Sequence, residues 1–169
     1  MTSVTENDRS ENFEAVLQAH SENRAVAALR QQLPGALLDA KFELAELTLT
    51  LSREAIVDAC RIVQSAGYNF MADLTCVDWY PNQPRFQVTY HLLSMAHKQR
   101  IRLCVLVGEG DPSVDSITSV WPAANFYERE VFDLFGVRFG GHPNLRRILL
   151  PEEFAGNPLR KDFPVEGYR

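Results

Sequence analysis

Apolar positions along this chain repeat with two periods, and the two fall in separate blocks. Leu47, Leu49 and Leu51 alternate with threonines, the mark of a half-buried strand. Phe42 and Leu44 alternate in the other phase, which predicts a turn or bulge near Ala45-Glu46. Three further alternating sets follow: Phe70, Ala72, Leu74 and Cys76; Phe86, Val88, Tyr90 and Leu92; Ile101, Leu103, Val105 and Val107. The short connections PNQP and MAHKQ predict that these three pair as an antiparallel meander. Helical spacing appears at Val26, Leu29 and Leu33, on a helix over 22–33 that Ser21 caps and Pro34-Gly35 stops. It recurs at Ile56, Val57, Cys60 and Val63, on a helix capped by Ser52 and ended by Gly67. The pattern predicts an α+β fold, a largely antiparallel sheet with helices packed on one face.

Residues 108–112 read as a turn and 113–120 as a short helix closing the domain. Asn125 and Glu128 have the spacing of a capping box, the Asn125 side chain accepting from the Glu128 amide and the Glu128 carboxylate from the Asn125 amide. The helix they start runs to about Phe135, with Tyr127, Val131 and Leu134 at helical spacing, and Gly136 ends it. Arg129 and Asp133 stand four apart on it, an expected helical ion pair of ~0.3–0.5 kcal/mol. The organisation expected is a disordered polar leader over 1–12, an α+β domain over 13–120, and a helix plus extended irregular segment over 121–169.

Composition and charge change this picture at the C-terminus. Residues 1–125 carry 15 acidic and 10 basic side chains, whereas residues 126–169 carry seven of each. An acidic body argues against nucleic acid as partner, and a balanced tail favours protein contacts in which charges pair. The run after the helix holds five of nine glycines and four of nine prolines, yet Phe139, Leu145, Ile148, Leu149, Leu150, Phe154, Leu159 and Phe163 keep it too apolar for a disordered tail. Such a segment cannot bury its own backbone and is expected to lie on a partner surface. No apolar stretch approaches the ~20 residues of a membrane span, and the N-terminus has no signal-peptide pattern.

Candidate chemistry is sparse. Glu128, Glu130 and Asp133 are conceivable as an acid–base pair, but carboxylates on consecutive turns beside an arginine more often build an interface. His142 would need metal-binding partners, and His20, His91 and His97 form no HxH or HxxxH with it. Cys60, Cys76 and Cys104 are far apart in sequence and read as buried thiols, Cys76 and Cys104 on the apolar faces of their strands. Arg146-Arg147 and Arg160-Lys161 lack a phosphate-loop context and suit carboxylate clamping instead.

The run from Glu128 to Leu149, with Arg129, Glu130, Asp133, Gly136, Phe139, Gly141, His142, Pro143, Leu145, Arg146, Arg147 and Ile148, resembles the signature of the C subunit of bacterial respiratory complex I, the proton-pumping NADH:quinone oxidoreductase. Gly156, Pro158, Leu159, Arg160, Lys161, Asp162 and Pro164 match its second block, and LTLTLSREAIVDAC, DLTCVDW, YHLLS and VWPAAN are similar to it upstream. The resemblance implies a non-catalytic component of the peripheral arm on the cytoplasmic side of the plasma membrane. It would carry no flavin, iron–sulfur cluster or metal of its own, with FMN and the clusters on other subunits. Its extended C-terminal segment would wrap the quinone-reducing D subunit. The interface residues so implied are Glu128, Arg129, Glu130, Asp133, His142, Arg146, Arg147, Arg160, Lys161 and Asp162. The alternative is the equivalent component of an energy-converting hydrogenase or formate hydrogenlyase.

Overall fold

The computed structural model describes the backbone of residues 6–167 and the side chains of residues 12–167. Five strands form one mixed sheet in the order β1-β2-β5-β4-β3: β1 (Leu37–Glu43), β2 (Glu46–Leu51), β3 (Phe70–Asp78), β4 (Phe86–Ser94) and β5 (Gln99–Val107). All neighbours pair antiparallel except β2 with β5, which run parallel. The meander β3-β4-β5 is as the alternation predicts. Leu47, Leu49, Leu51 and the inward sets of β4 and β5 are all buried, together with Val26, Leu29, Ile56, Cys60 and Val63 from helices α2 (Arg24–Gln32) and α3 (Ile56–Ser65).

Local details differ from the sequence reading where short-range chemistry wins. Asn23, not Ser21, caps α2; its Oδ1 accepts from the amides of Ala25 and Val26 at 3.0 and 3.4 Å. Ser52 makes no side-chain cap, because a 3₁₀ turn, Arg53–Ala55, precedes α3. The β1–β2 hairpin turns at Leu44-Ala45, both at positive φ as a tight two-residue hairpin requires, and Phe42 and Leu44 face outward. A bulge between Met71 and Asp73 flips the start of β3, so that Met71 is buried and Phe70 exposed. Cys104 is buried, but in the phase opposite Leu103 and Val105, where it meets Thr89 and Gln87.

Two larger corrections concern the ends of the domain. Residues 6–12, read as disordered leader, open helix α1 (Glu6–Ala19); residues 1–5 lie outside the described residues. Phe13, Val16 and Leu17 dock α1 on the core, contacts that sparse apolar positions in a polar run do not announce. Residues 113–120 are not helical. Ser113–Asp115 is β6, paired parallel with β7 (Arg138–Gly140) through Val114 opposite Phe139. Three residues are too few to show a period, and the pairing partner lies beyond the next helix, α4 (Ala124–Phe135). Among the described residues, those after Gly140 form no regular structure, as the composition implies.

Candidate functional site

Helix α4 is the post on which the irregular segment 141–167 is hung. Its first turn has no capping box: Ala123 is the N-cap position and makes no side-chain bond. Glu128 points inward instead, fully buried, and its Oε1 accepts from the amide of Ile117 at 2.8 Å while Oε2 has no hydrogen-bond partner. Burial raises its pKa to about 7, against the opposing hydroxyl of Ser116 and amide of Ile117. His142 lies over it, with Nε2 at 3.9 Å from Oε2 and both side chains inaccessible.

The expected Arg129–Asp133 pair does not form, because each has a better partner in the segment. Asp133 is buried; its Oδ2 accepts from three successive amides, Ile148, Leu149 and Leu150, at 2.9, 2.8 and 3.0 Å, and its Oδ1 from Arg147 Nη1 at 2.6 Å. Burial opposes the ionised form, but these amides and the Arg147 guanidinium outweigh it and hold the pKa below the ordinary 3.8. Arg129 donates to the carbonyls of Arg146 and Arg147. Arg147 Nη2 in turn donates to the carbonyls of Phe154 and Gly156. Side chains thus take the backbone groups that a strap without helix or sheet would leave unmade.

The C-terminus of α4 is capped by the same strap. A helix end leaves its last four carbonyls without intrahelical partners. Here Phe132 O accepts from Gly136 N, Asp133 O from Asn157 Nδ2 and Arg147 Nη1, Leu134 O from Leu159 N, and Phe135 O from Arg160 Nε at 2.6 Å. Two cations at the negative end of the helix dipole add to the hold. Gly136 makes this approach possible: its φ is +74°, and a Cβ there would meet Asn157 Oδ1 at 2.6 Å and Arg160 Nη2 at 2.7 Å. Gly136→Ala is therefore expected to cost ~1–3 kcal/mol from the left-handed backbone alone and to raise amide exchange at residues 157–160 beyond its effect on the sheet. Hydrogen exchange of the two proteins checks this.

A second anchor was invisible in the sequence, where PNQP read only as a connection. Arg85, wholly buried, forks onto Asp78 with Nε–Oδ1 2.9 Å and Nη2–Oδ2 2.8 Å. It also donates to Glu109 and, through both Nη atoms, to Asp162 of the strap. Asp78 Oδ2 accepts from the amide of Lys161 as well, at 2.9 Å. Burial pushes Asp78 upward, but Arg85 and the amides of Lys161 and Tyr80 prevail and hold it at about 2. Asp162 is depressed chiefly by its bond to Arg85, whose own pKa is raised by Asp78 and Asp162. Alternation of Phe86 and Val88 places Arg85 out of phase, and only an unpaired arginine beside a strand hints at its role.

Of the ten residues that the resemblance assigns to an interface, Glu128, Asp133 and His142 lie inside the fold; Asp133 and His142 hold the strap from within, and Glu128 holds the loop before α4 at Ile117. Arg129, Arg147 and Arg160 are partly buried in the same work. Glu130, Arg146, Lys161 and part of Asp162 face outward, as do Leu149, Leu159 and Val165. The strap is extended, but its inner side lies on its own domain rather than waiting for a partner. Among the described residues, no three His, Cys, Asp or Glu side chains gather as metal ligands, and no helix is long and apolar enough to cross a membrane.

Comparison with known proteins places these features in context. Residues 49–169 match the family model described as respiratory-chain NADH dehydrogenase, 30 kDa subunit. The chain is 46% identical over 147 residues to the C subunit of NADH-quinone oxidoreductase from Geobacter sulfurreducens, covering 86% of this chain and 91% of that one. It is 48% identical over 145 residues to the C subunit from Rhodobacter capsulatus, covering 84% and 72%. Among solved structures, the trypsin-resistant fragment (1–134) of Nqo5 superposes with a TM-score of 0.64 at 33% identity, covering 72% of this chain and 99% of the fragment. A chain of an archaeal membrane-bound sulfane sulfur reductase shares the fold, with a TM-score of 0.70 at 24% identity over 86% of each chain.

Proposed function

The chain belongs to the family of the 30 kDa subunit of respiratory-chain NADH dehydrogenase, the C subunit of the bacterial enzymes, and on that premise we propose that it is a non-catalytic structural component of the peripheral arm of a proton-translocating NADH:quinone oxidoreductase. It docks on the quinone-reducing D subunit and is held at the cytoplasmic face of the plasma membrane through that complex. Flavin and iron–sulfur centres sit on its partners, and none on this chain.

The observation that carries this reading is the strap. Its buried polar groups are spent on α4 and on Arg85, while Leu149 and Leu159, 61% and 51% exposed, and the exposed cations Arg146 and Lys161 point away from the domain. A segment fixed on its inner side and apolar with charge on its outer side is a preorganised docking surface, with the entropic cost of ordering already met within the fold. The exposed Glu130 on α4 offers the opposite charge to the same kind of partner. Single changes here should weaken binding without unfolding the chain.

Affinity purification of the tagged chain from membranes tests the assignment. It should recover flavin and NADH-oxidising activity, and Leu149→Asp with Leu159→Asp should cut that recovery at least tenfold while the melting temperature of the lone chain stays unchanged. Recovery of nickel and hydrogen evolution instead would assign the chain to a hydrogenase-type complex.

A further inference from the structure

The buried Glu128 beside His142 does more than fill space. Oε1 is satisfied by Ile117 N, yet Oε2 is sealed from solvent without a hydrogen-bond partner of its own, the neighbouring Ser116 hydroxyl being engaged with Thr118 at 2.9 Å. Ionised, that oxygen would be a buried charge lacking a partner, a state that is costly until a donor reaches it. The nearest nitrogen is His142 Nε2, at 3.9 Å, too far for a bond.

What His142 is doing fixes its protonation. Nδ1 accepts from the amide of Asn144 at 3.0 Å, so it carries no proton. Nε2 must then carry the ring's hydrogen, and it lies 3.2 Å from the carbonyl of Asn125, to which it donates. His142 is thus a neutral imidazole whose one N–H is committed to α4, within about an ångström of being able to serve Glu128 instead. It sits at the root of the strap, directly after Gly141, whose positive φ turns the chain.

We propose that Glu128 and His142 form a proton-gated switch at the root of the strap. With Glu128 protonated, His142 Nε2–H donates to Asn125 O, as seen here; when Glu128 gives its proton to solvent, the same N–H swings to Oε2 and draws residues 141–145 toward α4.

The groups around Glu128 are neutral hydroxyls and a thiol, and the Tyr90 hydroxyl likewise lacks a partner. Facing it are Cys60 from α3 and Tyr90 from β4, both with ionisation strongly suppressed by burial, and Ser116 and Ile117 from the loop before α4. None of these is a cation, and the charged residues of α4 itself, Arg129, Glu130 and Asp133, are engaged with the strap or face solvent. Desolvation places the Glu128 transition near neutrality, at about 7. The sign follows: a carboxyl whose folded pKa is raised loses stabilising effect as pH climbs from its ordinary value through the folded one. The swing of His142 recovers part of that loss.

Nitrogen NMR of the histidines and amide exchange of residues 139–145, both on the full chain between about pH 5.5 and 8.5, read the switch directly. His142 should stay in the Nε2–H tautomer throughout, while its Nε2 resonance moves with a midpoint near 7 and the root amides change protection at the same midpoint. Glu128→Gln, which fixes the neutral form, should abolish both transitions. Should that variant fail to fold, carboxyl-labelled glutamate in the unaltered chain must show one side-chain resonance titrating in step with His142. A His142 resonance and root amides that are flat across this range, or that titrate unchanged in Glu128→Gln, would overturn the proposal.

Discussion

Replacing Asp133 by alanine is expected to detach the strap from α4 and to destabilise the chain by about 3–5 kcal/mol, the cost typical of breaking a buried ion pair from one side. Three amides and one arm of Arg147 lose their acceptor at once. Arg147 keeps 18% of its side-chain exposure, so water solvates part of the orphaned cation and the lower end of the range is the better expectation. Asp133→Asn keeps an acceptor oxygen but loses the charge, and should fall between the two. Urea unfolding gives the magnitude. Limited proteolysis between Gly140 and Gly156 gives the location, with cleavage in Asp133→Ala speeded well beyond its effect on the rest of the chain. Because the Asp133 pKa is depressed, its contribution is present above the ordinary 3.8 and is lost as pH falls below it.

Arg85→Met should be as damaging, for the mirror reason. It leaves the carboxylate of Asp78, 1% exposed, buried without its cation; the expected loss is again about 3–5 kcal/mol. Arg85→Lys should recover little, since an ammonium cannot fork onto Asp78 while reaching Asp162. Asp78→Leu with Arg85→Met removes both buried charges and should be markedly more stable than the sum of the single changes, which a double-mutant cycle in urea measures. A purely additive result would mean that the fork contributes nothing of its own. Acid should erase the advantage of the unaltered protein: Asp78 is held at about 2, so the pair's contribution is complete above 3.8 and disappears as pH falls through about 2.

These anchors show where a sequence stops being informative. Periodicity located the sheet because residues in long strands each repeat the same choice of side: Phe86 to Leu92 and Ile101 to Val107 are buried as their alternation requires. It failed at β6 and at the bulge near Ala72, where one or three residues carry no period. The residues of the candidate site were legible as charges at interface-like spacing, but their partners were not. Arg129 and Asp133 satisfy the rule for a helical pair, and both abandon it for carbonyls and amides 17 and 16 residues away that only the folded strap supplies. Glu128 fits a capping box equally well, yet the inward position beside Ile117 is the one it takes. Arg85 has only its out-of-phase place beside a strand as a local sign, since its three carboxylates come from β3, the turn after β5, and the strap.

The difference matters for function. On the proposed function, a strap already folded on its own domain serves as a preformed docking element, so that defects in its anchors should appear as missing complex rather than as altered chemistry. Quinone-reductase activity, normalised to assembled complex in membranes of Arg147→Ala and Glu130→Ala cells, tests this most directly. Arg147 anchors the strap from inside and Glu130 faces outward from α4. Both changes should lower the amount of intact complex, leaving turnover per assembled complex and the KM for NADH close to normal. Full assembly with turnover near zero would contradict the account and place these residues in the chemistry itself.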